Sequence, residues 1–130
     1  MQNESSSGSR KRSGRPLPPR LNRDYEFRRA YNKGKSFASG ALVTYAVKRK
    51  YGGIRIGITT GKRVGNAVCR NRARRIIRAA FRDLRPQMTG HWELVFVARS
   101  RTPSLKMQAV RKDMLNHLRK AQVIPPENKA

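Results

Sequence analysis

The sequence GKRVGNAVCRNRARRIIRAAFR, at residues 61–82, predicts a long helix with two different faces. Asn66 can cap this helix through its side-chain oxygen, and neither glycine nor proline follows until Pro86. We therefore predict a helix from Asn66 to about Leu84. At about 100° per residue its apolar side chains fall on one side, which predicts a face that packs on a core. These side chains are Cys69, Ala73, Ile76, Ile77, Ala80 and Leu84.

The opposite side of the helix carries arginines at helical spacing, and Asp83 is the only acidic residue between positions 61 and 84. A guanidinium group can donate two parallel hydrogen bonds to one phosphate. Most charge runs are simply solvated faces, but such faces usually interleave both signs. We therefore predict a phosphate-binding face, formed by Arg70, Arg74, Arg75, Arg78 and Arg82.

A basic turn flanked by glycines leads into this helix. Lys62 and Arg63 lie between Gly61 and Gly65, where backbone N–H groups and the positive end of the helix dipole can also attract an anion. The spacing is not that of a P-loop, because the G-x-x-x-x-G-K-[ST] pattern is absent. Taken alone, the turn indicates an anion site without specifying its ligand.

Upstream of the turn, the pattern predicts one helix and three strands. Asn22 is the predicted cap of the first helix, which should end at Gly34. Strands are predicted at 35–39, 41–48 and 54–59, and residues 50–53 (KYGG) are typical of a hairpin turn. Residues 54–59 alternate isoleucine with other residues, as a half-buried strand does.

Downstream of the long helix, residues 92–98 (WELVFVA) predict a central strand, because they are almost continuously apolar. A third helix is predicted from Thr102 as cap and Pro103 as first residue to about Ala121. Its predicted buried stripe consists of Met107, Val110, Met114 and Leu118.

The element order α-β-β-β-α-β-α predicts an α+β two-layer sandwich, with helices on a mostly antiparallel sheet. The 130 residues and 37% hydrophobic content suit a single modest core. We predict a disordered basic tail at 1–20, a folded domain at 21–121 and a flexible C-terminal tail at 122–130.

The composition is dominated by positive charge, with 31 Lys and Arg against seven Asp and Glu and a net charge of +24. Nucleic acid is the expected partner, because phosphate contacts reward clustered cations. An anionic membrane is the weaker alternative, since a surface helix would need large apolar residues opposite its basic face. The N-terminus lacks the apolar stretch of a signal peptide and the chain has one cysteine, so a cytoplasmic location is expected.

The sequence offers no recognisable protein-borne catalytic centre. His91 and His117 have no Cys or His at metal-ligand spacing, so no metal site is predicted. The seven carboxylates are scattered, and no close pair suggests a general acid and base. Asp24 and Glu26 are interpreted as residues that favour the helix N-terminus, and Cys69 as a small buried hydrophobe.

Residues 61–82 closely resemble the basic signature helix of bacterial ribonuclease P proteins, centred on Arg70-Asn71-Arg72. The resemblance extends over residues 16–120. Ala73 replaces a usually larger aliphatic residue, and the tail before Leu17 is longer than is common in the family. The other matching features are Asp24-x-x-Phe27-x-x-x-Tyr31-x-x-Gly34, Tyr45, Gly57-Ile58 and Val97-Ala98-Arg99.

This resemblance implies a fold of the ribonuclease P protein type (ribosomal protein S5 domain 2-like), with an unusual left-handed β-α-β crossover. It also implies that the catalytic centre is RNA, that Mg²⁺ is held mainly by RNA, and that the protein contributes no catalytic or metal-binding residue. The implied partners are the ribonuclease P RNA subunit and precursor tRNA, with no membrane and no protein partner.

A cleft between the first helix, the sheet and the signature helix is implied to hold the 5′ leader of precursor tRNA. Phe27 and Tyr31 are four residues apart on the first helix, so they share a face on which an unpaired base can stack. Periodicity alone favours core packing for both of them. The implied leader-binding residues are Phe27, Tyr31, Tyr45, Arg70, Asn71 and Arg78.

The basic helix and turn are implied to dock on the RNA subunit. The implied contacts are Lys62, Arg63, Arg72, Arg74, Arg75 and Arg82, although the division of basic residues between the two RNAs is open.

Two other functions fit part of the sequence. A ribosomal protein would have the same size and charge, and a self-sufficient nuclease would cleave RNA without an RNA subunit.

Overall fold

The structure, a computed structural model, describes residues 20–21 and 24–125. Within them, helices and strands follow in the predicted order α-β-β-β-α-β-α. Short 3₁₀ turns lie at Lys62–Val64, Arg85–Gln87 and Thr102–Ser104. The main elements are α1 (Asp24–Lys33), β1 (Lys35–Ala38), β2 (Leu42–Lys48), β3 (Ile54–Thr59), α2 (Ala67–Leu84), β4 (Trp92–Ala98) and α3 (Met107–Lys120).

Helix α2 begins and ends where the sequence predicts. The side-chain oxygen of Asn66 accepts a hydrogen bond from the Cys69 backbone N–H at 3.0 Å, which satisfies one of the free donors at the helix start. The helix ends at Leu84, and a 3₁₀ turn containing Pro86 follows it. Most of the predicted apolar face is buried, although Cys69 and Ile76 remain partly exposed.

The sheet has the strand order β1-β2-β4-β3, which contradicts the predicted hairpin at residues 50–53. Strand β4 pairs antiparallel with β2 and parallel with β3, so it separates the two strands that the turn connects. The physical reason is burial. All residues of β4 except Val97 are buried, and the most apolar strand takes an inner position. Gly52 and Gly53 still make the turn, with φ angles of 101° and 73°.

Helices lie on both faces of this sheet. Leu94 and Phe96 of β4 point into the larger core, which α2 and α3 cover. Val95 and Val97 point to the opposite face, where they pack with Ala30 of α1. The α+β class is confirmed, and the two-layer description fits the sheet with α2 and α3, while α1 covers the far face. The parallel β3-α2-β4 unit is present, and its left-handedness stays a prediction.

The start of α3 differs from the prediction. Thr102 does not cap α3, which begins at Met107. Instead, the buried Thr102 hydroxyl donates to the Ala41 carbonyl at 2.6 Å and accepts from the Arg99 backbone N–H at 2.8 Å. The long-range bond to Ala41 and the local bond to Arg99 hold residues 102–104 in a 3₁₀ turn, and the helix starts only after it. The predicted stripe is otherwise correct, with Val110, Met114 and Leu118 buried and Met107 partly buried.

The C-terminal boundary of the core also differs from the prediction. Helix α3 ends in a Schellman turn, in which the Val123 N–H donates to the Leu118 carbonyl at 2.9 Å. This turn folds Val123 and Ile124 back into the core, where they are 0% and 2% exposed. The prediction of a flexible tail at 122–130 therefore does not hold for Val123 and Ile124. Residues 1–19 of the predicted tail at 1–20 and the cap Asn22 lie outside the described residues, whereas Arg20 forms a β-bridge with Ile56 and so departs from the prediction.

Candidate RNA-binding site

Helix α1 packs closely on the strand at one edge of the sheet. A β-carbon added to Gly57 of β3 would lie 2.5 Å from Cε1 and 2.7 Å from Cζ of Phe27. The Phe27 ring therefore rests directly on the Gly57 backbone, at a distance that only glycine allows. Phe27 is only partly buried, so its ring forms a wall that remains accessible beside β3.

A buried network of charged side chains fixes α1 to the sheet. Glu93 of β4 is 1% exposed and accepts hydrogen bonds from Arg29 of α1 at 2.7 Å and from Arg49 at 2.6 Å. Arg55 of β3 pairs with Glu26 of α1 at 2.5 Å and lies 3.5 Å from Glu93. The hydrogen bond to Glu93 raises the pKa of Arg29. The network holds the helix that carries Phe27 in one orientation.

This network was not predicted from sequence, where Glu26 is interpreted only as a residue that favours the helix N-terminus. Glu26 is 4% exposed and paired, so that interpretation is incomplete. A usable signal was present, because Glu93 interrupts an otherwise apolar strand and Arg55 lies inside an alternating one. Charged residues are rarely buried without a partner. A buried Glu93 therefore predicts a cation close to it, and a buried Arg55 predicts a carboxylate close to it.

Tyr31 and Tyr45, both predicted to bind the leader, contact each other, but neither lines the cavity that Phe27 shares with Arg74 and Arg78. Their ring centroids are 4.9 Å apart at an interplanar angle of 75°, which is an edge-to-face contact. Tyr31 is 40% exposed, while Tyr45 packs in the same apolar cluster as Phe27. The aromatic residues therefore belong partly to the core and partly to an accessible surface.

A cavity of about 190 Å³ lies at the β3 edge, between α1 and α2. Phe27 and Gly57 line one part of it, and the arginines of α2 line another. The segment before α1 closes its end, because the Leu21 N–H donates to the Ile56 carbonyl at 2.7 Å. The residues around this cavity, which we call the edge cleft, are Arg20, Leu21, Phe27, Ile56, Gly57, Ile58, Arg74 and Arg78.

The other two predicted leader-binding residues line a neighbouring opening. Arg70 and Asn71 surround a cavity of about 270 Å³ together with Thr60 and Ala67. Arg74 lines both this opening and the edge cleft, and its guanidinium donates to the Thr60 hydroxyl at 3.0 Å. Arg74 was assigned by prediction to the RNA subunit, but it lies between the two cavities on the predicted leader side.

Positive charge is concentrated in the edge cleft. Burial lowers the pKa of Arg78, and the charges of Arg20, Arg82 and Arg74 lower it further. Arginine remains protonated in spite of this, so the cleft holds cations that repel one another. A phosphate entering the cleft would relieve that repulsion. Arg20, which lies in the basic N-terminal run, had no periodic pattern from which its place could be predicted.

The predicted RNA-subunit contacts form a second, more exposed surface. Lys62 and Arg63 project from the 3₁₀ turn before α2, and both are exposed. Along α2 itself, Arg72, Arg75 and Arg82 are exposed, whereas Arg74 is half-buried. This arrangement places cations on the outside of the helix, away from Ala73 and Ile77 in the core. Their RNA partner stays a prediction.

Within the described residues, no three His, Cys, Asp or Glu side chains are grouped as a metal site would require. In the same part of the chain, no helix combines the length and apolar character needed to cross a bilayer. The side chains that line the edge cleft offer recognition by an aromatic ring and guanidinium groups.

Comparison with known proteins agrees with this geometry. The model of the Ribonuclease P family matches residues 17–122. The chain belongs to the ribonuclease P protein family. The Ribonuclease P protein component of Shouchella clausii is 37% identical over 108 residues, covering 82% of this chain and 88% of the relative. That of Listeria innocua is 33% identical over 106 residues, covering 81% and 89%.

A solved structure extends the agreement to three dimensions. The RNase P protein of Staphylococcus aureus superimposes with a TM-score of 0.73 at 28% identity, covering 83% of this chain and 99% of that protein. The family predicted from the signature helix is thus confirmed, and so is the fold class. As a ribonuclease P protein component, the chain functions in the processing of tRNA 5′ ends.

Proposed function

We propose that this ribonuclease P protein binds a catalytic RNA subunit and the 5′ leader of precursor tRNA, and so assists endonucleolytic removal of the leader. The chemical step belongs to the RNA, which holds the Mg²⁺ ions, and the protein supplies no catalytic residue. The complex acts in the cytoplasm. The protein contributes by positioning the leader and by screening the repulsion between the two RNAs.

One observation carries this proposal. The edge cleft brings an accessible aromatic ring, Phe27, together with the guanidinium groups of Arg74 and Arg78. Single-stranded nucleic acid is bound by this combination, because bases stack on rings while cations follow the phosphates. A duplex could not present its bases to such a cleft. The arrangement therefore favours an unpaired leader over the helical body of tRNA.

The outer surface of α2 supports the second half of the proposal. Its exposed arginines and the turn at Lys62–Val64 can contact the backbone of a folded RNA without entering the edge cleft. The protein can therefore bind two RNAs at once. A ribosomal protein would need only the basic surface, so the aromatic cleft is the feature that favours the ribonuclease P function.

The decisive experiment is precursor-tRNA cleavage at low Mg²⁺, with a bacterial ribonuclease P RNA and this protein, separately and together. Processing at the mature 5′ end only when both are present is the expected result. Cleavage by the protein alone would favour the self-sufficient nuclease instead. Failure to assist even the RNA subunit of its own source would overturn the proposal and favour a ribosomal role.

A further inference from the structure

A third cavity lies at the end of the sheet where β1 begins and β2 ends. It has a volume of about 380 Å³ and shares no lining residue with the edge cleft. The strand register brings its parts together, because Lys35 is opposite Ala46 and Lys48 is opposite Trp92. We call this cavity the lysine pocket; the lining residues that matter here are Lys33, Lys35, Lys48, Ala46, Trp92 and Gln122.

The lining of the lysine pocket combines an apolar floor with a cationic rim. Ala46 and Trp92 lie on the same face of the sheet and contribute apolar surface, while three lysines and no acidic residue lie among the lining side chains. Lys33 also balances the C-terminus of α1, but Lys35 and Lys48 are in strands and have no such helix to balance. With two helix C-termini of about half a negative charge each, the three ammonium groups leave about two net positive charges.

The backbone at Gln122 gives an independent indication of a binding role. Gln122 has a φ of 71°, and among the described residues it is the only non-glycine with a positive φ. It occupies the C′ position of the Schellman turn that ends α3, with its N–H donating to the Arg119 carbonyl at 3.1 Å. Glycine is the usual residue at this position because it adopts this conformation without strain. A side chain here costs stability, and this one lines the pocket.

We infer that the lysine pocket binds an unpaired RNA nucleotide, with the base on the apolar floor beside the Gln122 amide and the flanking phosphate among the lysines. The inference rests on the proposed RNA-binding function and adds a subsite to it. The volume lies within the range of small-ligand sites, about 300–1,000 Å³. The nucleotide can come from the distal part of a long leader or from the RNA subunit, and both present the same chemistry.

The key variant is Gln122→Gly, because it removes the amide and also relieves the strained backbone. A structural role alone would leave RNA affinity unchanged and Tm unchanged or higher. Binding by the pocket predicts an unchanged or higher Tm together with affinity lower by about 3- to 10-fold, as expected for losing one hydrogen bond.

The second variant, Lys48→Gln, should lower affinity and reduce the slope of log affinity against log salt by about 1. Lys112→Gln, at an exposed position of α3 outside the pocket, is its charge-matched control.

Three titrations distinguish the source of the nucleotide: the RNA subunit alone, the RNA subunit with leaderless tRNA, and the RNA subunit with a long-leader precursor. A loss confined to the long-leader precursor identifies the leader as the ligand, and a loss in all three identifies the RNA subunit. Wild-type affinity of both variants for all three RNAs would overturn the inference. In that case wild-type protein would still support cleavage at low Mg²⁺, so failure of the pocket is distinct from failure of the proposed function.

Discussion

At the scale of single residues, Phe27 and Tyr31 should matter only for substrates that carry a leader. Replacing either by alanine removes a ring on which a base can stack, worth about 1–3 kcal/mol or about 5- to 150-fold in affinity. We expect Phe27→Ala and Tyr31→Ala to weaken binding of a long-leader precursor by a factor in this range. Leaderless tRNA should bind almost as it does to the wild type. Titrations of both substrates in the presence of the RNA subunit measure the difference.

Two further variants make that comparison specific. Gly57→Ala should behave like Phe27→Ala, because its β-carbon would push the ring out of position. Tyr51→Ala removes a ring that is 72% exposed and belongs neither to the edge cleft nor to the Tyr31–Tyr45 pair, so it should have no selective effect on leader binding. Equal losses for leaderless and long-leader substrates would mean that Phe27 and Tyr31 act only in the core.

At the scale of the elements, the buried carboxylate of Glu93 should be essential for the position of α1. Glu93→Gln would leave Arg29, Arg49 and Arg55 close together without their shared anion. Breaking a buried ion pair typically costs about 3–5 kcal/mol, and we expect the low end because Arg29 and Arg49 are about one-third exposed. Urea unfolding measures this change.

The matched control for Glu93→Gln is Asp83→Asn. Asp83 pairs with Arg111, but its side chain is 51% exposed, so solvent screens the interaction. Its loss should cost less than about 1 kcal/mol. Similar destabilisation by the two variants would show that the network under α1 does not contribute more than an ordinary surface pair.

The packing of α3 on the sheet should make stability depend on pH. His117 is 4% exposed, its Nδ1 lies 2.8 Å from the Thr44 hydroxyl, and its Nε2 has no hydrogen-bond partner among the described residues. Burial lowers the pKa of His117; Asp113 opposes this shift and Lys120 adds to it. The unfolded chain therefore takes up a proton near pH 6.5 before the folded protein does, and the free energy of unfolding falls as pH drops below that value.

Replacing His117 tests this pH dependence. His117→Gln should flatten the loss of stability between pH 7 and pH 5, because glutamine does not titrate. Replacing the exposed Gln108 of α3 by alanine adds and removes no titratable group, so it should leave the loss unchanged. Urea unfolding at several pH values measures both effects, and a wild-type slope in His117→Gln would assign the pH dependence to other groups.

The elements themselves were largely predictable from sequence, whereas their pairing was not. Helix α2 has a cap, an uninterrupted apolar stripe and a proline after its end, so local signals fix both boundaries. The turn at residues 50–53 carries equally clear local signals, yet its flanking strands are separated by β4. Which strands pair is decided by their competition for buried positions in the whole chain. A short window of sequence does not contain that information. The same applies to Thr102, whose hydroxyl binds the distant Ala41.

The candidate site was likewise predictable in part. Family resemblance placed Phe27, Tyr45 and Arg78 on the cleft, and the structure brings them to the β3 edge or to the cluster beside it. The position of Arg74 between two cavities was not predictable, because neighbouring arginines on one helix look alike in sequence. Their roles depend on which strand edge and which helix they face.

At the scale of the whole molecule, a net charge of +24 should make RNA binding strongly dependent on salt. If the RNA interface engages about six to ten phosphates, affinity should fall by about 10³–10⁵ between 50 and 200 mM salt. Arg72→Gln or Arg75→Gln, on the exposed side of α2, should each reduce the slope of log affinity against log salt by about 1. Phe27→Ala should lower affinity without changing the slope, because stacking releases no counterions. Binding that barely responds to salt would contradict an interface in which the arginines contact phosphate. Parallel slopes for wild type and Phe27→Ala would distinguish the charged contacts from the stacking contacts.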